Sequence, residues 1–236
     1  MTPHLMTTKP NGVHHLAICT ADIKAQLAFF TDVLGMELVA LYWMHGVKGA
    51  WHGFVKASDS CYIAFVEMPA IAEVPMEFGR THAGNGGGVS AAGTMQHVAL
   101  NVDTDDELLA LRDRIRSRGV NIYGPIDHGM CKSMYFAGPE NLTLEIATSA
   151  KPIDARAWID PEVVALANIS AEELARFTRP AAYPGQGGAL AQPPIDPARP
   201  HMHYPPARYA AMMATSDADV LSKGSYTDPP VRIAAE

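Results

Sequence analysis

HHLAICTADIKAQLAFFTDVLGMEL, residues 14–38, opens as a short β-leaning run and turns into a helix within eight residues. Ile23, Leu27, Phe30 and Leu34 recur at helical spacing and Gly35 supplies the stop, so the segment reads as a strand followed by an amphipathic helix. Three more β-leaning runs follow: MELVALYWM, WHGFVKA and YIAFVEM. They are separated by Gly46, Gly49 and the polar turn Ser58-Asp59-Ser60. The order is β-α-β-β-β.

The same order then restarts. MQHVALNV reads as a strand, and DDELLALRDRIRSRG as a helix with Leu108, Leu111 and Ile115 on one face and Gly119 at its end. VNIYGPI, CKSMYFAG and LTLEIAT supply three further strands, broken at Gly124-Pro125 and Gly138-Pro139. Two tandem βαβββ modules, about residues 13–69 and 95–148, therefore form a domain over 13–150 of class α+β. Between them, Ala70 to Thr94 is a long segment rich in glycine (Gly84, Gly86, Gly87, Gly88), either a connector or a lid over a site. Residues 151–236 change character. Asp160-Pro161 opens a short helix through Ala167, Ser170 with Glu173 makes a capping box for another, and Thr178 to Pro206 reads as extended coil rich in proline and glycine.

Composition narrows the function. Among 236 residues, 48% are apolar and 18% charged, enough to bury a core. The formal charge of −7 comes without a lysine/arginine cluster, which argues against nucleic acid as a partner. Cys19, Cys61 and Cys131 are odd in number, widely spaced and form no CxxC pair, so neither a thiolate zinc site nor a disulfide framework is suggested. Met1 to Gly12 is polar, without the apolar run of a signal peptide or membrane span, so no membrane partner and a cytoplasmic location are expected.

The repeat points to chemistry. His15 in HLAI and His97 in HVAL open the first strand of each module, so an approximate two-fold between modules brings both imidazoles to one shared face. Glu145 lies in the apolar last strand TLEIAT, where an unpaired carboxylate costs several kcal/mol and a cation is one of the few partners that keep it ionised. Two neutral imidazoles and one carboxylate are the facial set of non-haem iron(II), with positions left open for substrate and dioxygen.

HHLAICTADIKAQLAFFTDVLGMEL, QHVALNVDTDDELLALRDRIRSRGVNI and YFAGPENLTLEIAT together resemble the vicinal oxygen chelate superfamily, which includes glyoxalase I, methylmalonyl-CoA epimerase, fosfomycin-resistance proteins and type I extradiol ring-cleaving dioxygenases. The resemblance runs from about Val13 to Thr148 and implies paired modules around one open, barrel-like metal site. Glyoxalase- and epimerase-like members carry a fourth ligand on the last strand of the first module. Ala64 holds that place here, and Glu67, three residues on, faces the other side of a regular strand. The resulting three-ligand set, His15, His97 and Glu145, is closest in pattern to the extradiol enzymes.

Those enzymes also have a tyrosine ten residues before the glutamate that bonds a substrate oxygen, and Tyr135 stands there. Their usual catalytic histidine is replaced by Ser60-Cys61, which leaves His52 and His128 as candidates for the proton-moving role. His14 is expected on the strand face opposite His15, and His201 and His203 lie in the proline-rich tail. The resemblance implies an Fe(II) dioxygenase acting on a small catechol-like aromatic, associating as a homo-oligomer. The alternatives are a non-oxidative isomerase, epimerase or lyase using Mn(II), Zn(II) or Ni(II), and, behind both, a small-molecule-binding resistance protein.

Overall fold

A computed structural model describes residues 9–232. Most of the polar N-terminal stretch, residues 1–8, lies outside the described residues, as do residues 233–236. In the first module, β1 (His15–Thr20) leads into α1 (Ile23–Ala28), which continues as a π-helical turn over Phe29–Val33. Then come β2 (Glu37–Trp43), β3 (Trp51–Ser58) and β4 (Cys61–Glu67). A one-turn helix α2 (Pro69–Ala72) starts the connector. The second module is β5 (Val98–Val102), α3 (Asp105–Ser117), β6 (Ile122–Asp127), β7 (Lys132–Ala137) and β8 (Thr143–Thr148). Every strand and both long helices expected from the two repeats are present.

Each module forms a four-stranded mixed sheet, ordered β1-β4-β3-β2 and β5-β8-β7-β6, and the two sheets are not closed into a barrel. The first and last strands pair in parallel, which needs a crossover, and α1 and α3 supply it. The connections start from N-caps. The Asp22 side chain accepts from Ala25 N, and Thr104 with Glu107 makes a reciprocal capping box. Glu67, on the helix-facing side of β4, accepts from Ile23 N at 2.8 Å, so it serves the start of α1, on the sheet face opposite Ala64. β6 runs through Gly124-Pro125 as one strand. The register against β7 shifts between Tyr123 and Ile126, so the expected break is a bulge where proline has no N–H to give the ladder.

One core serves both modules. Ile23, Phe30 and Leu34 of the first helical segment pack with Ile63, Phe65, Leu108, Ile115, Met134, Leu144 and Ile146. Phe29 stacks on Phe136 across the module boundary, with ring centroids 6.4 Å apart. The polar latch beside this core is Glu140, in the turn before β8. Its carboxylate accepts from Thr20 Oγ1 (2.6 Å), Ala21 N (2.8 Å) and Gln26 Nε2 (2.8 Å). Thr20 and Gln26 are buried, so the Thr20 hydroxyl proton and the Gln26 amide nitrogen depend on that carboxylate.

After β8 come α4 (Ala155–Trp158), α5 (Pro161–Leu166) and α6 (Ala171–Thr178). Ser170 and Glu173 exchange the two bonds of the expected capping box. These helices group with the modules as one compact unit, Pro10–Thr178. Residues 179–232 belong to a second unit, which has extended coil through Pro205 and then α7 (Pro206–Ala214) and α8 (Asp217–Lys223). Those two helices were not anticipated from sequence. Among the described residues no helix is long and apolar enough to cross a membrane.

Glu140→Ala should destabilise the domain by about 1–3 kcal/mol, the cost of leaving buried polar groups without partners. Urea denaturation of the variant beside the parent protein checks this.

Candidate functional site

The parallel pairing in each sheet fixes what lies opposite what. In the second module Ala99, two residues after His97, pairs with Glu145, and Glu145 pairs across its other edge with Tyr135. In the first module Ala17, two residues after His15, pairs with Ala64, and Ala64 pairs with Phe54. Ala64 is thus the register counterpart of Glu145, and Phe54 of Tyr135. The repeat keeps the histidine in both halves and the carboxylate in one.

His97 Nε2 lies 2.8 Å from Glu145 Oε2, with the Glu145 side chain 6% exposed. Two donor atoms bound cis to one first-row cation at about 2.1 Å lie about 3 Å apart, so this pair fits a divalent metal in both chemistry and spacing. The other imidazole nitrogen, Nδ1, contacts Gln96 Oε1. With Nδ1 carrying the proton, Nε2 presents its lone pair on the Glu145 side, the arrangement a metal-binding histidine needs.

Tyr135 sits beside this pair, its ring edge-on to His97 at 6.2 Å between centroids, and its hydroxyl lies 3.2 Å from His128 Nε2. Burial, followed by the negative charge of Glu145, pushes the Tyr135 phenol above its ordinary range and keeps it protonated. A cavity of about 570 Å³ opens on the side of Tyr135 toward His128, lined by Gly84, Gly86, His128, Tyr135, Phe136 and Thr143 among others, with His97 and Glu145 outside its lining. That volume suits a small-molecule ligand.

The structure groups the remaining candidates differently. His15 keeps company with first-module rings: His14 (5.2 Å between centroids), Phe54 (5.4 Å) and His52 (6.5 Å). Among the described residues, no three histidine, cysteine, aspartate or glutamate side chains are gathered as a ready metal cluster, so His97 and Glu145 are brought together without His15. His52, on β3, is buried, and its Nε2 has no hydrogen-bond partner. It lies with His15 and Phe54, whereas His128 lies with Tyr135, so the two proton-transfer candidates belong to different modules.

The expectation for His14 needs correcting. Its Nδ1 is 2.9 Å from His15 Nδ1, so the two imidazoles meet rather than standing on opposite faces. His201 and His203 lie in the second unit, where His201 packs on Tyr209. Cys19, Cys61 and Cys131 are free thiols. Sequence reasoning missed Gln96. Its place directly before a candidate ligand was the available signal.

The chain belongs to the Glyoxalase/Bleomycin resistance protein/Dioxygenase superfamily, whose model matches residues 12–146. Among individual proteins it is similar to biphenyl-2,3-diol 1,2-dioxygenase 2 of Rhodococcus globerulus, 27% identical over 160 residues that cover 66% of this chain and 72% of that protein. Solved structures with a similar fold include a fosfomycin resistance protein of Listeria monocytogenes crystallised with Mn(II) and dihydroxypropylphosphonic acid (17% identity, TM-score 0.43, 63% of this chain and 99% of that one). Another is lactoylglutathione lyase of Agrobacterium tumefaciens (18% identity, TM-score 0.42, 61% and 97%).

A pH dependence follows from His52. Burial, and then the charge of His15, hold its imidazole below the ordinary 6.5. As pH falls below 6.5 the unfolded chain takes up this proton first and the folded chain resists, so stability declines with falling pH. His52→Phe should remove part of that decline, as read from urea denaturation of metal-free protein on either side of that pH.

Proposed function

We propose that this protein is an iron(II)-dependent dioxygenase that opens a catechol-like ring, with the metal held by His15, His97 and Glu145. The observation that carries the reading is the register equivalence of Ala64 and Glu145. A methyl group stands where a second carboxylate would make a four-ligand site, leaving two imidazoles and one carboxylate with positions open for substrate and dioxygen. The relative whose name joins an aromatic diol to dioxygen chemistry supports the same class.

Bound there, iron(II) would supply Lewis acidity toward two vicinal oxygens and the electron chemistry that makes dioxygen reactive. The chain's own groups do the rest. Tyr135, whose phenol burial keeps protonated, donates a hydrogen bond to a substrate oxygen. His128, 3.2 Å from that hydroxyl and exposed, exchanges a proton between the tyrosine and solvent. Phe136 and Tyr123 give the cavity aromatic walls, which suits a ring-shaped ligand.

One observation favours a second reading, a non-oxidative isomerase, epimerase or lyase of the same superfamily. Ser60 and Cys61 occupy the place of the usual catalytic histidine, and Cys61 opens β4 opposite Ser58. Turnover without oxygen on a redox-inert metal would select it.

Protein loaded anaerobically with Fe(II) should consume oxygen with at least one member of a broad catechol panel. Full iron occupancy with no oxygen uptake across the panel overturns the dioxygenase reading. Tyr135→Phe should retain the iron and lower kcat on the order of 10²-fold, the usual loss for one such donor. His97→Ala and Glu145→Ala should each abolish metal binding in a titration with Zn(II) while circular dichroism shows the fold intact.

A further inference from the structure

The glycine-rich connector is tied to the candidate metal centre through one side chain. Gln96 Nε2 donates to two carbonyls of that connector, Asn85 O at 3.1 Å and Gly88 O at 3.0 Å. An amide nitrogen has two N–H groups and both are used, which fixes the flip of the amide and aims Oε1 at His97 Nδ1. The connector turn is itself closed, with Asn85 O accepting from Gly88 N and Asn85 Oδ1 from Gly87 N. It lies against Tyr135, since a Cβ on Gly86 would come within 3.1 Å of that ring. At Gly88 a Cβ would fall 2.0 Å from the Ala83 carbonyl oxygen, so no side chain is tolerated without moving the turn. Gly84 to Gly87 form one wall of the cavity of about 570 Å³ beside Tyr135 and His128.

We propose that Gln96 is a positioning residue with two linked tasks: it fixes the Nδ1–H tautomer of His97, and it latches Gly84–Gly88 over Tyr135 as the movable wall of the substrate cavity. The same amide serves both, so the wall in place and the ligand correctly presented are one state of the protein. Substrate enters by releasing the two Nε2 bonds, which are exposed or only part-buried and open without breaking core packing. The metal arm of this proposal rests on His97 being a ligand. The wall arm does not.

Two substitutions separate the arms. Gln96→Leu removes both, whereas Gln96→Glu keeps an acceptor for His97 Nδ1–H and has no N–H for Asn85 and Gly88. Zn(II) affinity is measured by titration, and amide hydrogen exchange of Gly86–Gly88 is measured on metal-free protein, with thermal melts showing each variant folded. Gln96→Leu is expected to lose about 10- to 100-fold in Zn(II) affinity, the usual effect of removing the group that orients a ligating histidine. Gln96→Glu is expected to stay within a few-fold of the parent, and both variants should exchange these amides at least about tenfold faster. Parent-like Zn(II) affinity in Gln96→Leu, with His97→Ala unable to bind, overturns the metal arm alone. Zn(II) binding that survives His97→Ala overturns the ligand reading beneath it. Unchanged exchange in both Gln96 variants overturns the wall arm.

Discussion

The parallel pairing of each module's first and last strands is the constraint on which the rest depends. It sets Ala99 against Glu145 and Ala17 against Ala64, so a histidine two residues before the alanine is always one step along the strand from the position that can bear a carboxylate. The crossover helices make that pairing possible, and their N-caps, together with Glu67 under α1, fix where each helix leaves the sheet. Burying Glu145 in an apolar strand then demands a partner, and His97 Nε2 lies 2.8 Å from its carboxylate.

The two halves have diverged in chemistry while keeping one backbone. The first presents His15, His52, Phe54 and Tyr42, rings packed on rings around a histidine that burial holds neutral. The second presents His97, Glu145, Tyr135 and His128, a carboxylate, two imidazoles and a phenol in successive contact. Gln96 has no counterpart in the first module, where His14 precedes the equivalent histidine. Where His97 meets an amide oxygen, His15 meets another imidazole.

The elements were legible in the sequence because their signals are periodic and local. Ile23, Phe30 and Leu34, or Leu108 and Ile115, repeat at helical spacing and turn out buried on one core. Ser170 and Glu173 announced a cap and form one. What escaped had no period. The bulge at Gly124-Pro125 reads as a break in one dimension, because only the partner strand shows that pairing resumes at Ile126. α7 and α8 follow a proline-rich stretch whose composition masked Pro206 at a first helical turn and the Ser216 cap. Of the candidate site, residue types were readable, as were Ala64 at the place matching Glu145 and Tyr135 beside Glu145. The hydrogen bonds of Gln96 to an irregular connector were not, since nothing in the spacing of Asn85 and Gly88 reports which side chain their carbonyls meet.

The measurement that tests the account most directly is anomalous diffraction at the iron edge from crystals grown with Fe(II) under anaerobic conditions. The account predicts one strong peak about 2.0–2.2 Å from a nitrogen of His15, His97 Nε2 and a Glu145 oxygen, with no protein ligand from the Ala64 position. A peak on other residues, or none at full iron loading, would contradict it.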